Sequence, residues 1–225
     1  MNGAVDEIER ALEALFDPGG VVELRAFRDR ETVSGYFEDH AALAREAAEL
    51  DRRGYAVYVT LNEIHAALLS RASNRARRVY KEPTTADADI VRRRYLPVDL
   101  DPVRPAGVSS TKEEKRVALL RAREIRDHLR DRGWPDPVVG DSGNGAHLLY
   151  RVDLPNDRES AELVKGVIAA LAFAFDDGAV KVDTGVHNAA RIWKLYGVVS
   201  CKGDSTAERP HRTSRLLKVP EEGTI

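Results

Sequence analysis

The chain has 225 residues, 43% hydrophobic and 32% charged, with a formal net charge of −2; this is the profile of an ordinary globular protein with room for one large core or two small ones. No apolar run approaches the length of a membrane span, so a cytoplasmic protein with no membrane partner is expected. A single cysteine, Cys201, excludes a disulfide framework and a cysteine-built zinc centre, and the near-neutral charge does not by itself advertise nucleic acid.

Ile8, Leu12, Leu15 and Phe16 fall at helical spacing within residues 4–16, and Asp17-Pro-Gly-Gly20 stops that helix. Residues 21–27 read as a strand, with a second short strand over 33–37. The alanine-rich run Ala41–Leu50 predicts a helix closed by Arg53-Gly54. The β-branched and aromatic run Tyr55–Leu61 predicts a strand that delivers Asn62 to its end. A short helix over 64–72 follows. Arg71, Arg75, Arg77, Arg78, Lys81, Arg92, Arg93 and Arg94 make the next stretch basic, and up to Pro83-Thr84-Thr85 it reads as a mobile loop. The run Arg94–Arg104 is a strand carrying Asp99 and Asp101. Thr111-Lys-Glu-Glu114 opens a long helix with a capping-box pattern, buried through Val117, Leu120, Ile125 and Leu129 and ended at Arg132-Gly133. Val138-Val139 and Leu148–Val152 form a hairpin around Gly140–His147. A helix over 157–175, a short strand over 180–183, a strand over 192–199 and an edge strand over 215–219 complete the chain. Strands and helices interleave, and the hairpin excludes a purely parallel sheet, so the class is α+β or mixed α/β.

Three clusters carry the chemistry. In a strand, residues two apart project to one face, so Asp99 and Asp101 point together over Val98 and Leu100. Two carboxylates that close repel unless a cation separates them, and hard oxygen ligands without cysteine favour Mg²⁺ or Mn²⁺. The second cluster is Ser142-Gly143-Asn144-Gly145-Ala146-His147, where two glycines let backbone amides converge on an anion and the histidine adds a positive or donor group. The third is Asp183 followed by Asn188, Arg191, Lys194 and Lys202, an acid with spaced cations that suits a metal beside a polyphosphate. Each alone has a plainer reading: Asp101-Pro102 as a strand stop, Gly-Asn-Gly as a hairpin turn, and the Asp183 stretch as a solvated strand. Together they match what metal-dependent nucleotidyl transfer requires.

In order and type, Asp99-Leu-Asp101, Ser142–His147 and Asp183 resemble the three motifs of the archaeo-eukaryotic primase superfamily. Val59-Thr-Leu-Asn62, Leu68–Arg75, Pro97–Pro105, Asn188–Gly197 and Lys202–Arg212 are similar to segments of bacterial primase-polymerases of mobile elements and of CRISPR systems. The resemblance covers about residues 20–218. It departs from the family after Gly197, where Val198-Val199 stands in place of a hydroxyl-bearing residue.

The resemblance implies a single primase-polymerase catalytic domain over residues 1–225. An N-terminal α/β subunit of about 1–90 carries the basic segment; an RRM-like catalytic subunit of about 91–225 has a mixed or antiparallel sheet, and the active site lies between the two. It implies that Asp99, Asp101 and Asp183 hold two Mg²⁺ or Mn²⁺ ions with no organic cofactor. Ser142 and His147, with Gly143, Asn144 and Gly145, would meet the nucleotide phosphates, and Arg191, Lys202 and His211, with Lys194 as a weaker choice, would neutralise the triphosphate. Asn62, Arg71, Arg75, Arg77 and Arg78 are expected on single-stranded or primed DNA. His187, Cys201, Trp134 and Trp193 read as structural. The expected activity is template-directed joining of dNTPs or NTPs with release of pyrophosphate, with a helicase or a C-terminal primase-associated domain as partner where the chain is a truncated core. An end-joining repair polymerase of the same superfamily and a non-catalytic RRM-like nucleic-acid-binding module are the alternatives.

Overall fold

The computed structural model describes residues 2–220; the ends of the expected domain, at residue 1 and at 221–225, lie outside them. In chain order the elements are α1 (Asn2–Leu15), β1 (Val22–Arg28), β2 (Glu31–Phe37), α2 (His40–Arg52), β3 (Ala56–Thr60), β4 (Glu63–Ile64), β5 (Arg75–Val79), β6 (Ile90–Pro102), α3 (Lys112–Arg130), β7 (Val138–Asp141), β8 (Ala146–Pro155), α4 (Arg158–Phe175), β9 (Val180–Val182), β10 (Ile192–Lys194), β11 (Val199–Ser200), β12 (Arg212–Thr213) and β13 (Arg215–Lys218). Short 3-10 segments occupy Ala66–Arg71, Asp87–Asp89 and Thr184–His187. The class is mixed α+β with antiparallel sheets. The described chain forms two compact units. The first takes residues up to Arg94 together with Asp153–Asn156 and Asn188–Val198; the second takes Tyr95–Val152, Asp157–His187 and the chain from Val199.

In the first unit an antiparallel five-stranded sheet runs in the order β10-β3-β1-β2-β5. Alternate residues of β1, Val22, Leu24 and Ala26, are buried, as the period of a strand requires. They share a core with Ile8 and Leu12 of α1 and Leu43, Ala47 and Leu50 of α2, residues spaced to lie on one helical face. Each such leucine contributes roughly 1.5–3 kcal/mol on leaving water. Asp39 caps α2 by accepting from the Ala42 amide at 2.9 Å. Gly35 lets β5 draw against β2, since a Cβ there would meet the Arg75 carbonyl oxygen at 2.1 Å.

That pairing corrects an expectation. The basic segment is no loop: Arg75–Val79 is an edge strand, paired through one side of its backbone with Thr32–Gly35. The expected strand over 192–199 is likewise split in two, because Gly197 turns the chain at φ +95°. A side chain there would strike Ile8 Cγ1 at 2.7 Å, and the Val198 that follows is fully buried in the core. The residue that departs from the family pattern is therefore a packing residue. The expected helix over 64–72 begins later, at Ala66, since Glu63–Ile64 pairs with β6.

The second unit reads β6-α3-β7-β8-α4-β9, a βαββαβ order, with sheet neighbours β13-β7-β8-β6 and β9 on the far side of β6. Thr111 and Glu114 close a reciprocal capping box at the start of α3. Asp157 caps α4 through the Ser160 amide. Ala118, Ala122, Ile125 and Leu129 of α3 and Val164, Ile168 and Leu171 of α4 face inward. Both helices pack on β9, whose Val180 and Val182 are buried while Lys181 is exposed. Among the described residues, no helix is long and apolar enough to cross a membrane.

Candidate active site

Antiparallel register assembles the acids. Leu100 pairs with Val182 and Asp101 with Lys181, and the Asp183 amide donates to the Asp99 carbonyl at 2.8 Å, so Asp183 stands across from Asp99. Directly opposed residues share a face, as do residues two apart. Asp99, Asp101 and Asp183 therefore share the face turned away from buried Leu100 and Val182.

The side chains are held apart. Arg104, with only 7% of its side chain exposed, donates to Asp101 Oδ1 at 3.2 Å and to the carbonyls of Pro102 and Val108. The Gly185 amide donates to Asp183 Oδ1 at 2.8 Å. Among the described residues, no three His, Cys, Asp or Glu side chains are gathered closely enough to hold an ion as they stand. The donors still fit a hard divalent cation: they are carboxylates, they share one sheet face, and Asp99 and Asp101 are partly exposed.

His147 opens β8 and lies 3.5 Å from Asp99 Oδ1 through Nε2. It is buried, and burial pushes the imidazole down to about 3 against the opposing pull of Asp101. At neutral pH it is an uncharged donor or acceptor, which corrects the expectation of a positive group.

The turn before it is built differently from a phosphate cradle. The Gly143 amide donates to Asp141 Oδ1 at 2.7 Å, and the Asn144 and Gly145 amides donate to Ser142 Oγ. These amides are occupied inside the turn, which corrects the expectation that they converge on an anion. The glycines serve close approach instead. A Cβ on Gly145 would meet the Leu100 carbonyl oxygen at 2.1 Å; one on Gly143, at φ +90°, would meet Ser200 Cβ at 2.6 Å. Asn144, also buried, accepts from the Ser110 amide and hydroxyl and donates to Ser200 Oγ. Lys115 of α3 meets Asp141 at 2.6 Å. Arg212 donates to the Ser110 carbonyl, and Arg209 donates to the Ser109 carbonyl and to both Glu114 oxygens. The turn is thus clamped from both sides.

The same unit places Lys202 on an exposed segment, where its carbonyl accepts from Ser109, and His211 with Nε2 2.8 Å from the Gly203 carbonyl oxygen. The remaining expected residues fall in the first unit. Asn62, expected on nucleic acid, is buried and donates to the Ala189 carbonyl while accepting from the Arg94 amide, so it serves as a strand-joining residue. Lys194 is buried with Nζ 5.2 Å from the Tyr58 ring centroid, and Arg191 pairs through its backbone with Asn188 and Leu61. Arg71 meets Tyr36 and Asp89, Arg77 meets Glu82, Arg78 meets Glu31, and Arg75 is exposed. His187 Nδ1 stands 2.8 Å from the Thr184 carbonyl oxygen, Trp193 donates to the Tyr196 hydroxyl in the core, and Trp134 meets Tyr150 edge-on. Arg104, Lys115, Asp141 and Ser110 escaped the sequence reading. An Asp two residues before a glycine is an Asx-turn signal that could have found Asp141.

No family model and no curated protein matches the chain. Among solved structures, a crystal structure of the primase RepB' aligns at a TM-score of 0.50 and 13% identity, covering 96% of this chain. The likeness is one of fold. This chain spans 56% of that structure's length. A second crystal structure, the catalytic domain of primase RepB' in complex with initiator DNA, aligns at a TM-score of 0.44 and 13% identity, over 87% of this chain and 77% of that one.

Proposed function

We propose that the chain is a primase-polymerase catalytic core of the archaeo-eukaryotic type, joining dNTPs or NTPs on a single-stranded or primed DNA template with release of pyrophosphate. The observation that carries this reading is the register that sets Asp183 across from Asp99, two residues from Asp101, with buried His147 beside them. In this reading the βαββαβ unit is an RRM-like catalytic subunit. Asp99, Asp101 and Asp183 would hold two Mg²⁺ or Mn²⁺ ions, which when bound neutralise charge on the α-phosphate and the attacking oxygen. His147 presents a neutral N–H to the nucleotide, a donor that costs no buried charge. Ser142 keeps its hydroxyl proton for a phosphate oxygen while its Oγ closes the turn. Lys202 and His211, of the same unit, offset the triphosphate charge.

The test incubates the protein with single-stranded DNA, labelled nucleotides and Mn²⁺, with and without a primer, and resolves products by length. Asp99→Ala and Asp101→Ala should each abolish synthesis. Asp99→Ala should keep the melting temperature of the metal-free protein, because carboxylate repulsion is relieved. Asp101→Ala should lower it, because buried Arg104 loses a carboxylate partner. Primer extension by either variant at the wild-type rate sinks the assignment.

A further inference from the structure

Strand β5 lies at the edge of the five-stranded sheet and carries Arg75, Arg77 and Arg78, followed by Tyr80 and Lys81. Charge on an edge strand guards it against pairing with another chain, which is reason enough for the arginines. It is no reason for Tyr80, which is 81% exposed directly after them. The ring is held there by construction. Glu82 accepts from the Tyr80 amide at 2.9 Å with one carboxylate oxygen and from Arg77 at 2.9 Å with the other, so the chain beyond the strand is pinned into a turn. These bonds hold the Glu82 carboxyl at about 2. Below the turn is a cavity of about 230 Å³ lined by Ser34, Tyr36, Arg71, Arg77, Val79 and Pro83 among others, so Tyr80 stands beside an opening with two guanidinium groups in its wall.

An exposed aromatic among cations, next to a recess that Arg71 and Arg77 help to line, is the chemistry of a single-stranded nucleic-acid path. Aromatic faces stack bases without regard to sequence, and cations track the phosphates. The pair Arg78–Glu31 is exposed and such pairs hold weakly, so a phosphate can exchange with that carboxylate. We propose that Tyr80 is a base-stacking platform for single-stranded nucleic acid, with Arg75, Arg78 and Lys81 on the flanking phosphates. This rests on the template-directed reading above and adds to it a residue that reads bases by their faces.

Fluorescence anisotropy with a labelled oligo-dT and with an abasic oligomer of equal length separates ring from charge. Wild type should prefer oligo-dT. Tyr80→Ala should lose about five- to 150-fold on oligo-dT, nothing on the abasic strand, and none of the salt dependence, while Tyr80→Phe and Tyr80→Trp hold wild-type affinity. Equal losses on both strands, or an unchanged Tyr80→Ala, overturn the platform. A wild-type protein that extends primers while Tyr80→Ala binds normally defeats this proposal alone. A wild-type protein that binds neither strand defeats the template-directed reading with it.

Discussion

The turn Ser142–Gly145 and the strand Arg75–Val79 both read from the sequence as phosphate-facing stretches, and the structure takes them in opposite directions. The glycine turn is turned inward. Its amides are bonded to Asp141 and Ser142, its asparagine is buried, and its glycines exist because β6 and β11 come too close for a side chain. The basic stretch became a strand yet kept its side chains exposed. Glycine thus marks two different needs, amides free for an anion or backbones in contact, and only the location of the amides' acceptors separates them.

The largest effect should follow from filling the inward turn. Gly145→Ala sets a methyl 2.1 Å from the Leu100 carbonyl oxygen, a backbone atom between the two acids that cannot step aside. We expect a loss of about 3 kcal/mol or more in denaturant unfolding and no measurable nucleotide addition. A stable Gly145→Ala would mean that β6 and β8 part readily, and the built-in character of the turn would be lost with it.

Asn144→Ala probes the same turn without a clash. It leaves the Ser110 amide and hydroxyl and the Ser200 hydroxyl short of a partner, for an expected cost of about 1–3 kcal/mol. Were Asn144 instead a phosphate contact, the variant would keep its midpoint and lose nucleotide affinity only, which makes nucleotide titration beside the unfolding curve the deciding pair of measurements.

Local signals carried the sequence reading far in one unit and less far in the other. The capping box of α3, the helical spacing of α4 and the two hairpin strands were all legible, and together they give the βαββαβ order without tertiary information. Asp99 and Asp101 were legible because strand periodicity alone puts them on one face. Their alignment with Asp183 was not, since it depends on the pairing of β6 with β9 across about eighty residues of chain. Asn62 was misread for the same reason: its acceptor partner, the Ala189 carbonyl, and its donor partner, the Arg94 amide, are 127 and 32 residues away. The strand at Arg75–Val79 was hidden by its charges, because an edge strand exposed on both faces shows no apolar alternation.

The outward stretch should respond to salt more than to heat. Neutralising Arg75, Arg77 and Arg78 together should leave the melting temperature nearly unchanged, since their ion pairs are exposed. Binding to single-stranded DNA should weaken, and the log–log salt slope should flatten by about 0.7 for each phosphate that the variant no longer neutralises. An unchanged slope would place the strand off the nucleic-acid path and leave its arginines as edge protection only.

The smallest effect belongs to Glu82, and it tests whether the outward stretch is ordered at all. Its carboxyl is held near 2 by the Tyr80 amide first and by Arg77 next, below the usual 4.5. For a depressed carboxyl the sign is fixed: the stabilisation is fully present above 4.5 and is lost as pH falls through about 2. The group is solvent-exposed, so the loss should be felt by the turn and not by the fold. Glu82→Gln should therefore leave global unfolding at neutral pH where it is, while the Tyr80 amide resonance moves and its exchange with solvent quickens. In the wild type, an NMR titration should find the carboxyl still ionised at pH 3, with the Tyr80 amide shift following the same low midpoint. A midpoint near 4.5 would show that the pin is open in solution, and Tyr80 would then be a mobile side chain that pays an ordering entropy before any base can stack on it.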